Sequence, residues 1–154
     1  MRQLINSNQN KLDNLFAKYS TLPPDDIELH SHWTRYLCVL ASGYIEISIR
    51  HIYSSYARDK TDPKTAKYIS SQLERFRNPK MGNIVSLTRM FDDAWAIELE
   101  TETEDKIKNS VDSIVNNRHQ IAHGRDTNIS YSYMKSYYDD AKELIELLMT
   151  QCSD

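Results

Sequence analysis

The run Arg118-His119-Gln120-Ile121-Ala122-His123, closed by Gly124, gathers the side chains best suited to phosphate chemistry. Histidine titrates closest to neutrality, so it can take a proton from a ribose hydroxyl or give one to a leaving oxygen. An arginine beside it would stabilise the charge that builds on a phosphorane. Together they suit metal-independent RNA cleavage by attack of the 2′-hydroxyl.

The surrounding residues say how these groups must be held. At about 100° per residue, a helix over 103–123 carries an apolar stripe of Ile107, Val111, Ile114, Ile121 and Ala122. Arg118 falls in the middle of that stripe. Burying a guanidinium alone costs several kcal/mol. Arg118 is therefore expected to pair with a buried carboxylate, or to point into a pocket or interface that receives an anion. Glu46, within the otherwise core-facing run Gly43-Tyr44-Ile45-Glu46-Ile47, is the best-placed intramolecular partner. A buried Arg118–Glu46 ion pair with no chemistry would use the same residues.

His123 is expected in the last helical turn, ahead of Gly124, a natural residue for a left-handed helix cap. Five residues on a straight helix turn the side chain by about 500°, leaving Arg118 and His123 about 140° apart. They share a site only if the last turn unwinds or a second copy contributes. A two-fold interface along this helix would supply the second copy.

His119 and His123 stand at i and i+4, the spacing of two helix-borne metal ligands. Gln120 replaces the glutamate of a zincin motif and no third ligand is evident, so neither metal nor cofactor is assigned. His30, His32 and His51 lack a companion pattern and read as solvated or core residues. Tyr131, Tyr133, Tyr137 and Tyr138 could stack on bases. Amphipathic packing with the hydroxyls at the surface is the simpler expectation. Trp33 and Trp95 read as core anchors.

With 154 residues the chain fits one domain, 1–154, long enough to bury a core. Three glycines and four prolines leave little room for the turns of an all-β fold. A net charge of −3 argues against a broadly basic nucleic-acid coat. Locally the balance reverses: 106–125 carries Lys106, Lys108, Arg118 and Arg125 against Asp112 alone. Cys38 and Cys152 are too few for a disulfide framework, and Cys38 reads as a core residue. With no signal core and no run of transmembrane length, the expectation is a reduced, cytoplasmic protein without membrane contact.

The expected scaffold is all-α, a bundle of five or six helices. A first helix over about 3–19 would face inward with Leu4, Leu12, Leu15, Phe16 and Tyr19, and Pro23-Pro24 would end it. Asp25 and Asp26 favour the start of a long helix reaching about Arg58. Its stripe Leu29, Trp33, Leu37, Leu40, Tyr44, Ile47, His51, joined later by Ile45, Ile49, Ile52 and Tyr56, predicts packing on two sides. Gly43 within it predicts close approach of a neighbouring helix. Asp62-Pro63 starts the next helix, to about Phe76. Asn78-Pro79-Lys80-Met81-Gly82 is a break, followed by one or two short helices over 83–99. The last helix runs over about 130–150, with Met134, Tyr137, Ala141, Leu144, Ile145 and Leu148 inward.

With these residues in place, the chain resembles a HEPN domain. Arg118-x4-His123 matches the family's R-x(4–6)-H signature. The string Arg118 to Gly124 is similar to the R-N-x-x-A-H-G form of the RiboL-PSP-associated HEPN group, with His119 in place of the usual polar residue, often asparagine. Ser42-Gly43-Tyr44-Ile45-Glu46 is similar to the group's early long helix. Asn78-Pro79-Lys80, Asn83-Ile84 and Met90-Phe91-Asp92-Asp93-Ala94-Trp95 resemble its middle segment. The resemblance implies a helical bundle that dimerises so that two motifs line a composite cleft. It also implies metal-independent endoribonuclease activity, often in toxin–antitoxin or phage-defence settings with a cognate antitoxin or defence partner. Arg118 and His123 would be the catalytic pair with His119 in support; Glu46, placed by its position on the central helix, would support Arg118. Some HEPN domains are non-catalytic modules that bind nucleotide, RNA or a partner protein.

Overall fold

The computed structural model describes residues 1–153. Among these, seven α-helices and no strand are found: α1 (Arg2–Ala17), α2 (Ile27–Lys60), α3 (Pro63–Leu73), α4 (Met81–Phe91), α5 (Asp93–Glu102), α6 (Lys106–Ala122) and α7 (Tyr131–Gln151). The all-α class is as expected, but the count exceeds five or six. Asp92 adopts an extended backbone (φ −159°, ψ 127°) and accepts a hydrogen bond from the Trp95 amide, so one residue ends α4 and caps α5.

The helix starts follow the local chemistry. Asp26 accepts from the Leu29 amide to cap α2. Asp62 accepts from the amides of Lys64 and Thr65 to cap α3, with Pro63 at the first helical position. The α3 helix closes at Leu73, short of Phe76, leaving 74–80 as a link to α4.

Helix α2 is the central element, packed against α1, α3, α6 and α7. Its Leu37, Cys38, Ala41, Ile45, Ile49 and Ile52 are fully buried and meet Leu144, Ile145 and Leu148 of α7 and Val111 and Ile114 of α6 in one core. Each such aliphatic side chain contributes about 1.5–3 kcal/mol by leaving water.

Several inward assignments are corrected. Leu4 is 46% exposed and Ile47 49% exposed, while Ile5 takes the core position on α1. Gly43 has no atom within 4 Å of where a Cβ would stand, so no helix presses on it. It lies instead on an open groove with Leu12, Leu15, Val39 and Ile47. The two tryptophans are rim residues, half-buried against the core. Trp33 donates its indole N–H to the Leu15 carbonyl at 3.1 Å, and Trp95 meets Tyr56 edge to face.

The tyrosine run packs against the fold as expected, but Tyr138 rather than Tyr137 takes the core position. The Tyr131 and Tyr138 hydroxyls bond within the fold instead of standing at the surface. Tyr138 is fully buried and its hydroxyl donates to Asp13, while Tyr131 stacks on Tyr19 at 3.7 Å. Tyr133 alone of the run is largely exposed. Burial pushes both free thiols, Cys38 and Cys152, up to about 12. No helix among the described residues is long and apolar enough to cross a membrane.

Candidate functional site

The motif occupies the end of α6. The first part of that helix is anchored: Ile107, Ser110, Val111, Ile114 and Val115 are buried. Ser110 donates its hydroxyl to the buried carboxylate of Asp140 on α7 at 2.6 Å, and Lys106 reaches the same carboxylate at 3.0 Å. Beyond Val115 the helix outruns its neighbours. Arg118, His119, Ala122 and His123 are all exposed, and Asn117, Gln120 and Ile121 keep only partial cover.

The expected burial of Arg118 is therefore corrected. A helical wheel assumes that the whole helix docks, whereas the last turns of α6 stand clear of the core. Among the described residues no carboxylate pairs with Arg118, and the buried Arg118–Glu46 ion pair is not formed. Glu46 pairs instead with Arg50, four residues on along α2, and with Arg77 at 3.7 Å. The exposed guanidinium of Arg118 needs no partner to offset desolvation.

The helix end is built as the glycine suggested. Gly124 has φ +66°, its amide donates to the Ile121 carbonyl at 3.1 Å, and the Arg125 amide donates to the Gln120 carbonyl at 2.9 Å. This pair of bonds is the Schellman closure, which satisfies carbonyls left open by the last turn. His123 is the capping residue, and the helix runs regularly up to it. The last turn does not unwind, so Arg118 and His123 keep the angular separation of about 140° that five helical residues impose.

The side chains that do come together define a cleft of about 250 Å³. Ser42 and Glu46 of α2 form one wall, Val115, Arg118 and His119 of α6 another, and Arg77, Asn78 and Pro79 of the α3–α4 link a third. His123 does not line it. Its ring packs edge-on against His119 at 4.4 Å, so it borders the cleft one side chain away. No group of three or more His, Cys, Asp or Glu with metal-binding geometry occurs among the described residues.

Sequence reasoning found Arg118, His119 and Glu46 as cleft residues but missed Arg77 and Asn78. Asn78-Pro79 was visible only as a helix break, and nothing in the linear chain says that the break folds against α6. The Glu46–Arg50 pair, by contrast, stands at the i,i+4 helical spacing and was readable in the sequence.

The domain is all-helical, with an exposed arginine and histidine at the end of its penultimate helix. The RiboL-PSP-HEPN family profile matches residues 3–154, and the chain belongs to that family. No curated protein and no solved structure shows a significant match to it.

Proposed function

We propose that this chain is a metal-independent endoribonuclease that acts as a homodimer, with Arg118 of one copy and His123 of the other completing a composite cleft. The observation that carries this reading is the state of the motif. Both side chains are exposed at a capped helix end, and no carboxylate among the described residues pairs with Arg118. Their divergence within one chain is why a second copy is invoked.

The reaction needs no external reagent. The ribose 2′-oxygen bonds to phosphorus while the bond from phosphorus to the 5′-oxygen breaks, leaving a 2′,3′-cyclic phosphate and a 5′-hydroxyl. His123 takes the 2′-hydroxyl proton and returns it to the departing oxygen. Arg118 stabilises the extra negative charge of the phosphorane. Family membership supports a toxin or phage-defence effector held in check by an antitoxin or defence partner, acting in the cytoplasm.

The divergence of Arg118 and His123 also favours a second reading, a non-catalytic HEPN module that binds nucleotide, RNA or a partner protein. Incubating the purified protein with RNA in EDTA separates the two. Cleavage by the wild type that is lost in both Arg118→Ala and His123→Ala supports the enzyme. A folded wild type that leaves several RNAs intact contradicts it.

A further inference from the structure

We infer that the link between α3 and α4 is a phosphate-binding subsite for single-stranded RNA, with Arg77 and Asn78 as its substrate contacts. This rests on the ribonuclease reading above and adds residues outside the Arg118–His123 motif.

The link is held in place at both ends by side chains from other helices. Arg50 of α2 donates its Nε–H to the Phe76 carbonyl at 3.1 Å. Asp112 of α6 accepts the Met81 amide at 2.8 Å, fixing the start of α4. Between them the Asn78 carbonyl accepts from the Lys80 amide and from the Asn83 side chain, both at 2.8 Å. Asn78 itself sits at φ +55°, a left-handed conformation that asparagine tolerates better than most residues. Pro79, the next residue, is buried. The backbone at the cleft mouth is thus set before any ligand arrives, which lowers the ordering cost of binding.

The charges point to an anion. Two guanidiniums, Arg77 and Arg118, line the cleft with one carboxylate, Glu46. That carboxylate lies between Arg50 and Arg77 and leaves Arg118 without a carboxylate among the described residues. Glu46 and Arg50 act here as positioning residues: Glu46 steadies Arg77, and Arg50 clamps the carbonyl before it. Arg77 keeps most of its side chain in solvent (62% exposed). Its Nη1 donates to the Glu74 and Phe76 carbonyls at 2.6 and 2.9 Å, which leaves Nε and Nη2 to meet a phosphate. The Asn78 amide makes no hydrogen bond among the described residues and can meet a ribose or base edge. A cleft of about 250 Å³ lies just below the usual range for small-molecule sites, so it takes one nucleotide rather than a duplex. RNA recognition of that kind uses unpaired, splayed-out nucleotides.

The probe is a short fluorescent single-stranded RNA with 2′-O-methyl riboses, which binds but cannot undergo 2′-attack. Arg77→Ala is expected to weaken binding about tenfold. It should also reduce the slope of log affinity against log salt by about 0.7, the value for one lost phosphate contact on a single strand. A purely structural role for Arg77 would not move that slope. Arg77→Lys should restore the slope, and Asn78→Gly, which keeps the left-handed backbone and deletes the amide, should weaken binding about threefold. A duplex of the same sequence should bind less tightly than the single strand. If the wild type binds and cleaves but Arg77→Ala matches it in affinity and slope, the subsite is overturned and the nuclease stands. If the wild type neither binds nor cleaves RNA, both fall.

Discussion

Residues 106–115 and 116–123 follow one another along α6 and its cap, yet they do opposite work. In the first stretch Ile107, Val111, Ile114 and Val115 are buried, and Ser110 and Lys106 converge on the buried carboxylate of Asp140. In the second, Arg118, His119 and His123 face solvent or the cleft. The helix is stiff enough that packing in the first stretch fixes where the second points. The last buried side chain, Val115, and the exposed Arg118 are separated by less than one helical turn. A charged cluster can be presented without paying for its burial, because the core ends where the cluster begins.

That separation can be broken from either side. Arg118→Ala or His123→Ala should reduce RNA cleavage by about 10²–10⁴-fold, the range for losing a charge-stabilising donor or a general acid–base. Neither should shift the thermal midpoint appreciably, since both side chains are exposed. Single-turnover cleavage and a melting curve on the same samples check both halves of that statement. Ile114→Ala reverses the pattern. This side chain is fully buried, so about 2–5 kcal/mol of unfolding free energy should be lost in a urea titration. The folded fraction should keep its cleavage rate.

A smaller effect tests the junction. Gly124→Ala places a side chain at φ +66°, where L-residues lose about 1–2 kcal/mol. No neighbouring atom would clash with the new methyl group, so the cost is conformational. Chemical denaturation should show that loss, with cleavage falling modestly as the turn carrying His123 loosens. The last test concerns two buried thiols. Cys38 and Cys152 are buried thiols pushed up to about 12, so at pH 8 neither is appreciably ionised and the thiolate is the reactive form. Iodoacetamide should label neither in the folded protein and both in denaturant, as intact mass will show.

The same division explains what the sequence disclosed. Periodicity located α2, α6 and α7 because each buries a continuous stripe, and Asp26, Asp62 and Gly124 marked boundaries through local hydrogen bonds. The motif itself was legible as residue types at a spacing. The setting of Arg118 was not. Ile121 and Ala122 continue the apolar pattern past the point where α6 loses its neighbours, and a wheel contains no information about where a partner helix stops. For the same reason Gly43 and Ile47 read as core although they border an open groove. Arg77 and Asn78 reach the cleft only through tertiary folding of a helix break.

The composite site is the central claim, and mixing two dead variants tests it most directly. Arg118→Ala and His123→Ala copies, unfolded together and refolded as a mixture, would form heterodimers in which one cleft has an intact Arg118 and an intact His123. Cleavage in EDTA should then rise well above that of either variant refolded alone. A mixture as inactive as its parents, from subunits shown by light scattering to have paired, would contradict a site shared between two copies.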